Sequence, residues 1–327
     1  MGDYGVTGFK MNITAIIIAK RLALGLLTLL LVSMIVFAIS SLLPGDAAQE
    51  LLGQSATPEA VAALRDQLGL NKPPVERYFD WLFGLLAGNP GMSMTGNMPV
   101  SDLIADRLPK SLTLAGLTTL VSVPVAFFIG VVSAMYQGGR LDRTLNVTNI
   151  FMIAVPEFLV ATIAVLIFSV HMRWLPSITI IPPDATLGEF VRAYALPVMT
   201  LCFVVIAQMA RMTRAAIIDQ LNQPYVEMAL LKGMDIPTIV FRHVLPNAIG
   251  PMANAFAFSL SYLLGGAIIV EIIFNYPGIA SLMVDAVTSR DMPLLQACAM
   301  IFCGVYLLLV LTADICSIIG NPKLRQS

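Results

Sequence analysis

The sequence predicts an all-α membrane protein: six transmembrane helices, both termini cytoplasmic, a long structured outer loop after helix 1 and a cytoplasmic loop between helices 4 and 5. Three observations carry this expectation. Of the 327 residues, 57% are hydrophobic and 12% charged, and the mean hydropathy is +0.84. A soluble chain carries roughly 45–50% apolar and about 25% charged residues. Six apolar stretches are long enough for the ~20 residues that a hydrocarbon core of about 30 Å demands. Finally, Lys and Arg are unevenly shared among the segments between those stretches. The same composition excludes a disordered chain and a disulfide scaffold. A net charge of −1 offers no basic face for nucleic acid.

The stretches run over about 22–43, 112–136, 148–170, 194–212, 251–274 and 293–319. The first follows Lys20-Arg21 and is too long for the apolar region of a signal peptide, so it is expected to be an uncleaved anchor. With the N-terminus inside, the cytoplasmic segments collect Lys10, Lys20, Arg21, Arg140, Arg143, Arg211, Arg214, Lys232, Arg242, Lys323 and Arg325. The short outer loops hold only Arg173, Arg192 and Arg290, which fixes the orientation. Residues 1–20 then form a cytoplasmic segment, 21–320 a six-span domain and 321–327 a cytoplasmic tail. Cys202, Cys298, Cys303 and Cys316 each lie in an apolar run without a CxxC pair, as buried apolar residues do.

The outer loop, about 44–111, has a pattern of its own. Thr57 can cap a helix that starts at Pro58 and stops before Gly69, with Val61, Leu64 and Leu68 on one face. The run Tyr78, Phe79, Trp81, Leu82 and Phe83 suits a membrane interface. A cap over the outer helix ends and a direct contact to substrate both fit this loop.

The cytoplasmic loop, about 213–250, is too ordered for a linker. Pro224 starts a helix through Tyr225 to Lys232, and Gly233 ends it in a left-handed conformation. Asp235 caps a second short helix, and Leu245-Pro246 closes the unit. Val226 and Leu230 are four apart and would form a ridge for a partner's groove, with Glu227 and Lys232 at its rim. An amphipathic surface element without a partner fits the same pattern.

Here the sequence resembles a known family. Glu227 to Pro246, EMALLKGMDIPTIVFRHVLP, is similar to the EAA loop of ABC importer membrane subunits. Glu227, Ala229, Gly233, Leu245 and Pro246 match at the right spacing; Met228 replaces an alanine and His243 an isoleucine. Other blocks resemble the dipeptide/oligopeptide/nickel permeases, and within them the first of two paired subunits. They include LLPGDAA (Leu42 to Ala48), GGRLDR (Gly138 to Arg143), ARMTRAAIIDQLNQPYV (Ala210 to Val226) and GGAIIVEIIFNYPGIASLMVDAVTSRDMP (Gly265 to Pro293). The resemblance implies a bacterial cytoplasmic-membrane permease partnered by a homologous second permease, two cytoplasmic ATPase subunits and an extracytoplasmic solute-binding protein. ATP and Mg would sit in the ATPases, with no cofactor or metal in this chain. The implied substrate is a short peptide, with nickel complexes, opines and oligosaccharides also covered by the family. One departure is Ala154-Val155-Pro156-Glu157-Phe158, where the family often has Ser-x-Pro-x-Phe.

Polar groups inside spans are candidates for a path or gate because they are costly in lipid. These are Glu157, Gln208 and Glu271, the last equally suited to tethering two helices. Asp314 lies near the cytoplasmic end and suits an interfacial role. Arg211 and Arg214 can clamp the loop through Asp219, Glu227 or Asp235, or act as positive-inside anchors. No GxxxxGK[ST] phosphate loop, HExxH helix or GxSxG elbow occurs, so no catalytic residue is expected. An ion-gradient-driven secondary transporter would need matched internal halves, and no such repeat is seen. An intramembrane enzyme would need His or Ser constellations within the spans, yet His171 lies at a span end and His243 outside them all.

Overall fold

The computed structural model describes residues 6–42, 49, 52, 56–67, 69, 71–96, 98–182 and 184–320. Among these, the regular structure is all helical, apart from one isolated bridge between Met92 and Pro99. The helices are α1 (Val6–Leu42), α2 (Pro58–Gln67), α3 (Pro74–Leu86), α4 (Val100–Met135), α5 (Arg140–Ala154) and α6 (Glu157–Ala164), the last continued by a π-helical turn, Val165–His171. After these come α7 (Leu187–Leu221), α8 (Pro224–Leu231) and α9 (Ile236–Ile239), which passes through a second π turn, Val240–Val244, into α10 (Leu245–Ile273). The chain ends with α11 (Ile279–Thr288) and α12 (Met292–Gly320). The tail 321–327, residues 43–48 of the LLPGDAA block and the side chains of Leu64 and Leu68 lie outside the described residues.

Among the described residues, five helical stretches are long and apolar enough to cross a membrane: Ile18–Ser41, Val100–Met135, Leu187–Leu221, Ile236–Ile273 and Met292–Ile315. A sixth crossing exists if α5 and α6 with its π turn count as one, and these meet at 94°. The stretch expected at 148–170 is therefore broken, and Pro156 is the cause. It lacks the N–H that would continue α5, and its ring drives Val155 into an extended conformation with φ −78° and ψ 125°, as the residue before a proline prefers. Several helices outrun their apolar stretches, α4 and α7 among them. α4 reaches back to Val100, so the last part of the expected outer loop is already helix. α7 starts at Leu187 because Thr186 and Glu189 form a reciprocal capping box, which satisfies two backbone donors at once.

The chain divides into two compact units, one of Met1–Gly25, Leu112–Tyr276 and Tyr306–Ser327, the other of Leu26–Ser111 and Pro277–Val305. In the first unit, Leu114, Thr118, Ser122, Ala126, Gly130 and Ala134 form a buried stripe at every fourth position of α4. Small residues at that spacing let two helix backbones approach closely, which is how helices associate where lipid removes any hydrophobic drive. The approach to α7 is tightest at Gly130. A Cβ built there would lie 2.6 Å from the Thr213 Cβ and 2.8 Å from the Ala210 carbonyl oxygen. Farther along α4, the Cys202 thiol donates to the Thr118 carbonyl at 3.7 Å.

The same unit holds a buried ion pair. Asp142, in the first turn of α5, is 3% exposed. Arg214 of α7 reaches it with two donors, Nε at 2.7 Å and Nη2 at 2.8 Å. Ser133 Oγ (2.6 Å), the Gly138 amide (2.9 Å) and Asn146 Nδ2 (2.9 Å) also donate to its carboxylate. Five donors on one carboxylate hold the end of α4, the turn after it, the start of α5 and the last turns of α7 together. Arg214 therefore does not clamp Asp219, Glu227 or Asp235; the nearer buried carboxylate takes its whole guanidinium fork. Asp314 pairs with Arg21 at 3.2 Å.

In the second unit, α11 and α12 pack through Ile279, Leu282, Ala286, Leu294, Ala297 and Cys298. The Ile279 amide donates to Ser111 Oγ at 2.8 Å. Asp291, fully buried, caps α12 through the Leu294 amide (3.3 Å) and also accepts from Ser93 Oγ and from Thr95 Oγ1 (3.1 Å). The segment before α4 is thereby pinned to the start of α12. Thr57 caps α2 through the Ala60 amide at 3.3 Å, and Gly69 has φ +64°, as expected.

Two outcomes follow for the first unit. Gly130→Leu should lower stability by about 1–3 kcal/mol, the scale of overpacking a close contact, read as a lower melting temperature of the purified protein in detergent. Arg214→Ala should cost about 3–5 kcal/mol, because it strands a buried carboxylate. Asp142→Asn in the Arg214→Ala background should recover part of that loss in the same melting assay.

Candidate functional site

The segment from Gln223 to Pro246 is built as a docked helix followed by a tight reversal. Pro224 sits at the first position of α8, where its missing N–H costs nothing. Past the other end, the Met234 amide donates to the Ala229 carbonyl at 3.2 Å and the Gly233 amide to the Leu230 carbonyl at 2.9 Å. These paired bonds form a Schellman stop, which needs a left-handed residue; Gly233 supplies it with φ +80°. Asp235 then caps α9 through the Thr238 amide at 3.4 Å. Hydrogen bonding from the Thr238 hydroxyl, and then from its amide, holds the Asp235 carboxyl below the usual carboxylate range. Tyr225 bonds Gln220 Oε1 at 3.1 Å, and burial raises its hydroxyl above the ordinary tyrosine value.

α8 has two distinct faces. Val226 and Ala229, 4% and 8% exposed, point inward. They join Ala216 and Ile217 of α7, Val131 and Ala134 of α4, and Val240, Val244, Ala248 and Met252 beyond the reversal. The outward face carries Glu227, Met228, Leu230 and Leu231, with Leu231 77% exposed. The expected ridge of Val226 and Leu230 is thus corrected. The docked face runs i to i+3 through Val226 and Ala229, which rotates Leu230 outward beside Leu231.

A second correction concerns the far end of the segment. The second helix is not a separate short element, and Leu245-Pro246 does not close it. Pro246 cannot donate to the Arg242 carbonyl and its ring would strike that oxygen. The chain widens there into a π turn, in which the Leu245 amide reaches Val240 O five residues back. The helix continues without a stop from Ile236 to Ile273. Pro237, Thr238, Phe241 and Arg242 line an open groove along its exposed start.

The polar candidates inside the spans fall at separate places. Glu157 opens α6 beside Pro156 and is 6% exposed. Its Oε2 accepts from the Tyr262 hydroxyl at 3.4 Å, while Oε1 has no hydrogen-bond partner. Gln208 of α7 is half-buried, and its Oε1 likewise has none. Glu271 of α10 is fully buried, and its carbonyl accepts from the Tyr276 amide at 2.7 Å. Among the described residues no group of three or more His, Cys, Asp or Glu is placed to hold a metal. Sequence reasoning missed Asp142. The signal was present in GGRLDR, an acid in the first turn of a helix, but nothing local pairs it with an arginine seventy-two residues away.

Residues 126–326 match the family described as binding-protein-dependent transport system inner membrane component, and residues 15–115 match the N-terminal region of such membrane components. A protein named as a probable peptide ABC transporter permease in Sinorhizobium fredii is 33% identical over 308 residues, covering 94% of this chain and 98% of its own. A putative peptide transport system permease protein of Brucella abortus is 34% identical over 311 residues, with the same coverage. The glutathione transport system permease protein GsiC of Escherichia coli O6:H1 is 33% identical over 309 residues, again covering 94% and 98%. Near-complete coverage in both directions, on a chain of long apolar helices, makes this a multi-pass inner-membrane protein. The chain belongs to the family of binding-protein-dependent transport system inner membrane components, the permease subunits of ABC importers.

Proposed function

We propose that this permease carries short peptides inward, delivered by an extracytoplasmic binding protein and driven by ATP hydrolysed in partner subunits. The relatives' names, peptide and glutathione permeases, support the substrate class. The chain makes six spans, with α5 and α6 together as the third, and both termini are cytoplasmic. Residues 1–20 and 321–327 flank the six-span domain 21–320. A homologous second permease completes the path, and two ATPase subunits hold the ATP and Mg; this chain supplies neither a cofactor site nor catalysis.

The observation that carries the coupling role is the two-faced α8. Its outward Glu227, Met228, Leu230 and Leu231 form a small apolar knob with one charge, suited to a groove on an ATPase subunit. Its inward Val226 and Ala229 are packed on α4, α7 and α10. A push on the knob therefore has nowhere to dissipate and moves those helix ends, shifting the path between outward- and inward-facing arrangements. Tyr225, Gly233, Asp235, Leu245 and Pro246 hold the knob's shape rather than touch the partner. Along the path, Glu157 and Gln208 are the polar groups that a peptide would meet, while Glu271, fully buried, suits the tethering of two helices. The unpartnered Oε1 of Glu157 suits a peptide's ammonium group.

Leu231→Asp tests the docking face without touching the core. The altered subunit should fold and assemble with the second permease, yet retain the ATPase subunits about tenfold less well, the scale of one interface anchor. Co-purification and ATP-dependent uptake into proteoliposomes read this out, and unchanged retention would sink the docking face. Glu157→Gln should keep the ATPases bound and lower peptide uptake about tenfold, the loss expected for one charge-assisted hydrogen bond.

A further inference from the structure

α3 carries a feature that transport alone does not use. No residue of this helix is buried, and Val75, Phe79, Phe83 and Leu86 are 68%, 47%, 64% and 75% exposed. Spaced four, four and three apart, they make one continuous apolar face. A second sector carries Glu76 and Asp80, and Lys72, just before the helix, reaches both, its ammonium 3.4 Å from Glu76 and 2.7 Å from Asp80. The third sector meets α1. There the Tyr78 hydroxyl lies 2.8 Å from Ser33 Oγ, and the Phe37 ring centroid is 5.4 Å from that of Tyr78 and 5.9 Å from that of Trp81. Ser33 Oγ–H is already given to the Leu30 carbonyl at 2.7 Å, so Tyr78 is the donor to Ser33.

That contact fixes a depth. Ser33 and Phe37 lie inside the apolar stretch Ile18–Ser41 of α1. At 1.5 Å per residue, Ser33 sits about 12 Å from the end of that stretch. A stretch of 24 residues is about 36 Å long and overhangs a ~30 Å hydrocarbon core by only about 3 Å at each end. Ser33 therefore lies within the hydrocarbon, and α3 is held there by the reach of one tyrosine side chain. α1 itself also exposes Leu30, Leu31, Met34 and Ile35.

We propose that α3 is embedded in one leaflet of the bilayer, with Val75, Phe79, Phe83 and Leu86 in contact with phospholipid acyl chains and Lys72, Glu76 and Asp80 turned to the headgroups and water. The occupant is lipid, because a protein docking from the aqueous side could not reach a face set at that depth. Lys72 pairs with both acids of that sector, which keeps one net negative charge, and the Arg77 guanidinium lies 5.9 Å from the Phe37 ring centroid; an apolar face beside such a charged sector suits the membrane boundary. The inference rests on the membrane-spanning reading of α1 and not on the substrate or the ATPase contact.

The test uses the whole importer complex in phospholipid nanodiscs. A photoreactive p-benzoylphenylalanine replaces Val75, Phe79 or Phe83 in turn, and Asp80 as the water-side control. Co-purification of the ATPase subunits checks each assembly, so failure of the importer reading shows there and not in the adducts. After illumination with saturating binding protein present, mass spectrometry identifies what each position captured. Phospholipid adducts at the three apolar positions and their loss at Asp80 are the expected result. Capture of the binding protein at Phe79 or Phe83, or equal lipid adducts at Asp80, would overturn the proposal.

Discussion

The bidentate contact between Arg214 and Asp142 sets the conditions for everything around it. A carboxylate 3% exposed is tolerable only with its oxygens satisfied, and here a guanidinium, a hydroxyl, a side-chain amide and a backbone amide all converge on it. Directionality follows from that requirement. The turn Gly138-Gly139 must present an amide inward, α5 must begin where Asp142 falls in its first turn, and α7 must reach far enough to bring Arg214 alongside. Apolar packing is not directional and would leave these helix ends free to slide. The ion pair fixes their register.

The knob on α8 depends on that register. Val226 and Ala229 dock on Ala216 and Ile217 of α7, a few residues past Arg214, and on Val131 and Ala134 of α4, on either side of Ser133. The ion pair and the docked face therefore share two helices. What holds α4 and α7 together also seats the docked face of α8. The Gly130 contact with Thr213 adds a steric limit between the same two helices.

Much of this was legible in the sequence because it obeys local rules. Long apolar runs, the Thr57 and Asp235 caps, the proline starts at Pro58 and Pro224 and the left-handed Gly233 each follow from a few neighbouring residues. What stayed hidden depends on contacts distant in sequence or on geometry that composition cannot express. The Arg214 partner was misassigned because several acids compete in sequence while only one is buried beside it. The facing of Val226 hinged on whether the docked stripe runs by threes or fours, which eight residues of helix cannot decide. The break at Val155-Pro156 follows locally from the proline, but a 94° turn depends on what the two halves pack against. The continuity of α9 into α10 was masked by Pro246, which reads as a stop unless the helix can widen to admit it.

That continuity has a mechanical consequence. Ile236–Ile273 spans 38 residues, about 57 Å of helix, against a hydrocarbon core of about 30 Å. Nearly half its length therefore exceeds what the hydrocarbon core needs. The surplus is braced rather than free: Val240 and Val244 of the π turn are fully buried and pack, with Ala248 and Met252, against residues of α4, α7 and α8. A sideways displacement of this end would therefore have to carry its neighbours with it.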